Sequence, residues 1–347
     1  MSDDITTGPY PGTYALTTPD KPAVIRAEDG AVLTYRDLND RSNRLAQFLA
    51  ARGLRRGDHI ALFMENNLRY HEVVWAAMRS GLYITAINRY LTVDEAAYII
   101  NDCAARVLIT SRARGDVVGP LLNHIPECKI RLMIDGALPG WDAYETTIEA
   151  FPATAVDEQW AGEVMLYSSG TTGRPKGIKR PLPEAKIYEN SGALGVFTAA
   201  YGFTSDMVYL SPAPLYHAAP LVFNLATQRM GGTVIMMSRF EPEAALADIE
   251  RYRVTHSQWV PTMFVRMLSD AAVIGVPDAE MGESVKAIVE LADGVVDDDA
   301  LVAELTAYLR HRVARYMVPK SIDFIDEMPR LPTGKLYKQA LRDRYVS

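Results

Sequence analysis

The chain has 347 residues, with 36 Lys and Arg against 43 Asp and Glu, which gives a formal net charge of −7. This length suggests about two domains, and 48% hydrophobic with 23% charged residues is typical of a soluble globular protein. The deficit of basic residues argues against a general nucleic-acid-binding protein, although it leaves room for a local basic site that holds a nucleotide.

Helices and strands alternate in the first half of the chain. Capping boxes are predicted at Thr34–Asp37, before a helix that ends at Gly53, and at Thr92–Glu95. The other predicted elements are a helix from Leu68 to Gly81 and strands at His59–Met64, Leu82–Thr85 and Val107–Thr110. This alternation predicts a largely parallel sheet with helices on its faces.

The later part of the chain continues this pattern and then changes. Strands are predicted at Thr233–Met237 and Gln258–Val260, with a helix at Pro242–Tyr252 between them. The final segment is typical of a separate small α+β unit. Its predicted elements are strands at Val273–Val276, Val285–Leu291 and Ile322–Ile325, and a helix at Asp298–Ala314.

Three features bear on location. The acidic N-terminus, Met1–Asp4, is unlike a secretory signal. The uncharged run Met207–Gln228 is interrupted by prolines, which favours a strand, a loop and a helix over a spanning helix. Cys103 and Cys128 are spaced neither as a disulfide framework nor as a zinc site, so reduced cytoplasmic thiols are expected.

The most informative segment is Tyr167–Gly177, which follows the strand-like Val164–Leu166. Its glycines let backbone amides turn toward a ligand, its Ser and Thr hydroxyls add donors, and Lys176 adds a positive charge. Such a segment is suited to hold a polyphosphate. It lacks the Gly-Lys-Ser/Thr order of a Walker loop, and the plain alternative is a turn rich in Ser, Thr and Gly.

This segment resembles the phosphate-binding signature of adenylate-forming enzymes, in particular the ATP-dependent acyl-CoA synthetases. Other segments resemble further blocks of that family in the right order: Leu33–Leu38, Asn43–Ala46, Met78–Tyr83, Pro214–His217 and Pro329–Lys335. The resemblance covers nearly the whole chain. It implies an α/β fold, with a large N-terminal domain of layered sheets and helices at residues 1–269 and a small C-terminal α+β domain at residues 270–347.

The resemblance also implies the reaction. A lipophilic carboxylic acid, a fatty acid being favoured, would be activated with ATP to an acyl-adenylate and then transferred to CoA, with Mg²⁺ shielding the phosphates. The partners are therefore these small molecules, with no nucleic acid and no transmembrane segment, while a peripheral membrane contact is left open. The expected location is the cytoplasm.

Roles for individual residues follow from the same resemblance. Lys335 would be the catalytic lysine, because a cation near both the carboxylate and the α-phosphate offsets the repulsion between two anions. Tyr216 and His217 would border the acyl site, and Thr171 would lie at the metal. The residues that would hold the ATP phosphates are Ser168, Ser169, Gly170, Thr171, Thr172, Gly173 and Lys176. The plain alternatives are a solvated lysine at 335 and a core histidine at 217.

Three blocks expected from the resemblance are missing after Val260–Phe264: a Tyr-Gly-x-Thr-Glu segment, a Thr-Gly-Asp segment and an Arg-rich hinge. The seam lies near Ser269–Asp270, so the large domain would lack its last part and the small domain its first strand and hinge. The phosphate half of the nucleotide site is kept and the adenine and ribose half is lost. Two alternatives stay open: a non-catalytic deletion remnant that binds nucleotide or a partner, and adenylation with another thiol acceptor or an aryl acid.

Overall fold

In a computed structural model the structure describes residues 8–168, 174–189, 198–261, 263–264, 271–278, 282–291, 296–310, 318–330 and 336–345. The chain divides into two compact units, Met1–Gln258 and Trp259–Ser347, and each is described by itself. The boundary expected at residues 269 and 270 lies outside the described residues and stays a prediction.

The first unit contains both strands and helices, in alternation. The helices are α1 (Pro11–Thr17), α2 (Tyr35–Ala51), α3 (Leu68–Arg79), α4 (Val93–Asp102), α5 (Gly115–Leu121), α6 (Tyr144–Glu149), α7 (Ala218–Arg229) and α8 (Pro242–Tyr252). The strands are β1 (Pro22–Arg26), β2 (Val32–Thr34), β3 (His59–Phe63), β4 (Tyr83–Ala86), β5 (Val107–Ser111), β6 (Ile130–Ile134), β7 (Asp142–Ala143), β8 (Glu163–Val164), β9 (Leu166–Ser168), β10 (Lys176–Ile178), β11 (Val208–Ser211), β12 (Thr233–Met236) and β13 (His256–Ser257).

A six-stranded parallel sheet has the order β7-β6-β5-β3-β4-β8. Every residue of β3, β4 and β5 is buried, as expected for parallel strands that are covered on both faces. The strands and the helix predicted in this region are confirmed, with ends that differ by one or two residues. The α/β fold class is confirmed as well.

Both predicted capping boxes are confirmed. At the start of α2 the Asp37 amide donates to the Thr34 hydroxyl at 3.1 Å, and the Thr34 amide donates to the Asp37 carboxylate at 3.3 Å. At the start of α4 the Thr92 amide donates to the Glu95 carboxylate at 2.9 Å. These bonds satisfy amides that have no partner within the helix, and so fix where each helix begins.

A five-stranded sheet has the order β13-β11-β12-β1-β2, in which only the β1–β2 pair is antiparallel. The strand predicted at Gln258–Val260 is wrong, because the strand here is β13, which pairs Tyr209 with His256 and Leu210 with Ser257. Strand β11 ends at Ser211. The residue after it is Pro212, which has no amide hydrogen and so cannot extend the hydrogen bonding between β11 and β13.

The uncharged run at residues 207–228 is confirmed as strand, loop and helix, since it contains β11 and most of α7. In the described part of the chain, every helix is too short or too polar to cross a bilayer.

The second unit contains a three-stranded sheet of β14 (Ala271–Asp278), β15 (Gly282–Glu290) and β16 (Ser321–Ile325), with the antiparallel pair β14–β15 and the parallel pair β15–β16. Its helices are α9 (Asp299–Arg310) and α10 (Lys338–Tyr345). The three predicted strands are confirmed. The predicted helix is confirmed up to Arg310, and residues 311–314 lie outside the described residues. Ile274, Ile288 and Leu341 form its core with three further side chains.

Asn66, three residues beyond β3, connects the carboxyl ends of the two large sheets. Its Nδ2 donates to the Met237 carbonyl at 2.9 Å, just after β12, and to the Ala213 carbonyl at 3.2 Å, just after β11. Its Oδ1 accepts a hydrogen bond from the Leu215 amide at 2.9 Å. The side chain thereby fixes the loop that leads into α7.

Replacement of this amide tests its role. Asn66→Ala leaves a buried amide and buried carbonyls without partners, and we expect it to lower the free energy of unfolding by about 1–3 kcal/mol in urea denaturation. The control is Asn101→Ala, whose exposed side chain makes one bond, to the His124 carbonyl at 2.8 Å. We expect this control to change stability by less than about 0.5 kcal/mol. Equal losses in the two variants would contradict the connecting role of Asn66.

Candidate functional site

The predicted phosphate-binding segment is carried by an antiparallel ribbon. Strands β9 and β10 pair Leu166 with Ile178, Tyr167 with Gly177 and Ser168 with Lys176. The last pair brings two predicted phosphate-binding residues together at the end of the ribbon from which residues 169–175 connect the strands. Both Ser168 and Lys176 are exposed. The other predicted phosphate-binding residues, Ser169, Gly170, Thr171, Thr172 and Gly173, lie outside the described residues.

The strand predicted over Val164–Leu166 is divided at Met165. Residues before it pair with β4 in the six-stranded sheet, and residues after it pair with β10. Gly177 is required in this ribbon by packing, because a Cβ there would lie 2.4 Å from Met165 Cε and 3.0 Å from Tyr167 Cζ.

Helix α4 holds the ribbon through two tyrosines. The Tyr98 hydroxyl donates to the Pro175 carbonyl at 3.2 Å, and the Arg174 guanidinium lies 5.3 Å from the centre of the Tyr98 ring. On the facing strand, the Tyr167 hydroxyl donates to Asp102 Oδ2 at 2.5 Å. Burial, followed by this bond to a carboxylate, raises the pKa of Tyr167, which keeps the hydroxyl a donor. Sequence reasoning missed Tyr98 and Asp102.

A second lysine, which follows the ribbon, already contacts two side chains of the protein. Lys179 Nζ lies 2.9 Å from His59 Nε2 and 4.5 Å from the centre of the Tyr83 ring. Burial, reinforced by the Lys179 charge, lowers the pKa of His59 to about 4, so its neutral ring accepts the hydrogen bond. Lys176, by contrast, is exposed and forms no ion pair with a described residue.

The predicted acyl-site residues lie at the start of α7. His217 is the N-cap residue and is exposed, so the alternative of a core histidine is wrong. Its ring centre lies 4.4 Å from that of Tyr216, which is half-buried. Partial burial lowers the pKa of His217 and raises that of Tyr216, whose electrostatic environment also includes Tyr90 and Arg89. Within the described part of the chain, no hydrogen bond or ring contact joins this pair to the ribbon.

Lys335 lies outside the described residues, but the chain on either side of it is close together. Arg330 and Leu336 form an antiparallel bridge, and the Tyr337 amide donates to the Pro329 carbonyl at 2.8 Å. The described residues on the two sides of 331–335 are therefore joined by backbone hydrogen bonds.

The described residues include no group of three or more His, Cys, Asp or Glu side chains placed to hold a metal ion. Thr171, the residue expected at the metal, lies outside the described residues.

Comparison with known families identifies the family of the chain. A family model described as AMP-binding enzyme matches residues 13–314. The chain belongs to this family.

Among similar AMP-binding enzymes is a feruloyl-CoA synthase of an Amycolatopsis species, 33% identical over 262 residues, which cover 74% of this chain and 49% of the relative. A fatty acid–acyl-carrier-protein ligase of Streptomyces coeruleorubidus is 28% identical over 261 residues, which cover 75% of this chain and 49% of the relative. A solved structure, provisionally named a long-chain-fatty-acid CoA ligase from Rhodopseudomonas palustris, matches with a TM-score of 0.63 and 26% identity, over 86% of this chain and 71% of that one. The chain spans about half the length of the two curated relatives.

The support of the ribbon by α4 can be tested without a ligand. Tyr98→Phe removes the hydrogen bond to Pro175, which is worth about 0.5–1.5 kcal/mol, so we expect amides of Lys176–Ile178 to exchange about three- to tenfold faster by hydrogen exchange. Tyr90→Phe is the control, since that side chain is 69% exposed, and it should leave these rates unchanged. Unaltered exchange in Tyr98→Phe would show that α4 does not hold the ribbon.

Proposed function

We propose that this chain is an acyl-CoA synthetase-type ligase that activates a lipophilic carboxylic acid, a fatty acid being favoured. A carboxylate oxygen attacks the α-phosphorus of ATP, which forms acyl-AMP and releases pyrophosphate. The thiol of CoA then attacks the acyl carbonyl, which forms the thioester and releases AMP. The observation that carries this proposal is the ribbon register, which brings Ser168 and the exposed Lys176 together at its loop end in an AMP-binding enzyme.

The reacting carboxylate and the phosphates of ATP are both anions, and the lysines would offset the repulsion between them. Two like charges 4 Å apart repel by about 1 kcal/mol in water and by about 4 kcal/mol at an effective dielectric constant near 20. We assign Lys176 and residues 168–173 to the β- and γ-phosphates, and Lys335 to the carboxylate and α-phosphate, where a positive charge stabilises the transition state. Mg²⁺ would bind mainly to phosphate oxygens and water, with Thr171 as a candidate contact.

The choice of acid follows from the start of α7. Tyr216 and His217 present two rings that are in contact and tilted by 49°, beside small and apolar residues, Ala218, Ala219 and Pro220. Such a surface suits an alkyl or aryl acid better than a strongly polar one. The names of the relatives, which include feruloyl and fatty-acid ligases, agree with both kinds of acid.

A non-catalytic nucleotide-binding remnant is the second candidate. It is favoured by the length of the chain, which spans about half of the curated relatives, and by the absence from the sequence of the adenine and ribose segments expected of the family. A third candidate keeps adenylation but uses a carrier-protein thiol, as the name of the Streptomyces coeruleorubidus ligase suggests.

Acid-dependent exchange of pyrophosphate into ATP separates the first candidate from the second. We expect exchange with octanoate, decanoate or ferulate in the presence of Mg²⁺, and CoA should then yield the thioester. No exchange with any acid, under conditions where a full-length relative is active, would leave the non-catalytic candidate. Exchange without thioester formation from CoA would favour a carrier-protein acceptor.

Two lysine substitutions test the assigned roles. Lys335→Ala should lower the exchange rate by about 100-fold or more, because it removes a charge that stabilises the transition state. Lys176→Ala should chiefly raise KM for ATP. The matched controls are Lys338→Ala and Lys129→Ala, since both of these side chains are exposed and neither is assigned a role. Equal effects of Lys335→Ala and Lys338→Ala would contradict the catalytic role of Lys335.

A further inference from the structure

The first unit contains a cavity of about 330 Å³, lined in part by residues that precede β9 and residues that follow β10. One wall is formed by α3 and α7 and is largely apolar, with Trp75, Met78, Val222, Leu225 and Ala226. The opposite wall consists of residues 161–164, which precede β9, and of residues that follow β10. A volume of this size is within the range of small-molecule sites, which are about 300–1,000 Å³.

A buried cation lies at one end of this cavity. Arg229, the last residue of α7, lines the cavity and is 8% exposed. Its Nη2 donates to the Glu189 carbonyl at 2.6 Å, whereas its buried Nε has no acceptor among the described residues. Burial lowers the pKa of Arg229 to about 10 with no carboxylate to oppose the effect. A buried guanidinium without an anionic partner is unusual, because buried charges in proteins are ordinarily paired.

The acidic residues that line the cavity form no ion pair with Arg229 among the described contacts. Glu163 Oε1 accepts from the Val164 amide at 2.9 Å, and Glu189 Oε2 accepts from the Lys186 amide at 2.8 Å. Neither carboxylate pairs with Arg229 among the described contacts. Lys186 itself lies 3.6 Å from Glu158. Among the described residues, Arg229 therefore has no anionic partner.

We propose that this cavity binds a small organic carboxylate, with its carboxylate bound by Arg229 and its apolar body against α3 and α7. The planar guanidinium matches a carboxylate in geometry, and the apolar wall suits an alkyl or aryl group.

This site is separate from the acyl site of the proposed function and does not depend on it. His217 precedes the first residue of α7 and Arg229 is its last, so about 18 Å of helix separates them at 1.5 Å per residue. An acid as short as octanoate, bound by its carboxylate at Arg229, does not reach the position that the proposed reaction requires.

Calorimetric titration of octanoate in the absence of ATP and CoA tests the site, with octanamide as the uncharged analogue. We expect octanoate to bind and octanamide to bind at least tenfold more weakly. Arg229→Gln should weaken octanoate binding at least tenfold, and Lys129→Ala, at an exposed position with no assigned role, should leave it unchanged. Absence of octanoate binding, equal binding of the two ligands, or undiminished octanoate binding in Arg229→Gln would overturn the proposal.

A second variant covers the case in which Arg229→Gln does not fold. Val222→Trp places a large ring at the cavity from a residue that is 38% exposed and leaves the guanidinium in place. It should abolish octanoate binding, whereas Leu246→Trp, at an exposed position of α8, should not. Undiminished binding in Val222→Trp would place octanoate elsewhere and overturn the assignment. Because no nucleotide is present, these results do not depend on whether pyrophosphate exchange is observed.

Discussion

The hydrogen bonds of Asn66 are the constraint on which the first unit depends. Asn66 lies three residues after β3 of the six-stranded sheet. Its side chain forms hydrogen bonds with the backbone of Ala213 and Leu215, after β11, and of Met237, after β12 of the other sheet. At the other end of α7, Gln228 accepts from Trp75 Nε1 at 2.6 Å and lies 2.9 Å from His71 Nδ1. Helix α7 is thus fixed at both ends by buried amides. Such bonds are directional, and losing one partner of a buried pair costs more than the pair contributes, so they set the position of His217 at one end and Arg229 at the other.

The ribbon of β9 and β10 is held differently from α7, because it belongs to neither large sheet. A ribbon of two short strands is marginally stable by itself, and β9 and β10 pair only with each other. Its attachment is provided by side chains: Tyr98 and Asp102 of α4, and the close contact of Gly177 with Met165. Helix α4 is in turn fixed by its capping box at Thr92. A local sequence signal at residue 92 therefore determines the surroundings of a lysine at residue 176.

Local patterns predicted the parts of this structure that depend on neighbouring residues. The capping boxes at Thr34 and Thr92 and the buried strand at His59 are encoded within a few positions, and they were predictable for that reason. The contact between Tyr98 and Pro175 joins residues 77 positions apart, and no periodicity reports it. The exposure of His217 depends on how α7 packs, which the apolar residues around it in sequence do not reveal. The lack of a carboxylate partner for Arg229 among the described residues is likewise a property of the folded arrangement, and the sequence around it does not reveal it.

The proposed function makes different demands on the chain for phosphate binding and for adenylation. The described supports of the ribbon lie between residues 92 and 178, within the first unit. They do not include any of the segments that the family resemblance leads one to expect after Phe264. The adenylation step of the proposed function, in contrast, assigns a role to Lys335, which belongs to the second unit. A lysine there stabilises the transition state only when it reaches both the carboxylate and the α-phosphate, because the electrostatic effect depends on placement. Under the proposed function, Lys176 of the first unit contributes to ATP binding and Lys335 of the second unit to turnover, so a measurement of one is not evidence for the other.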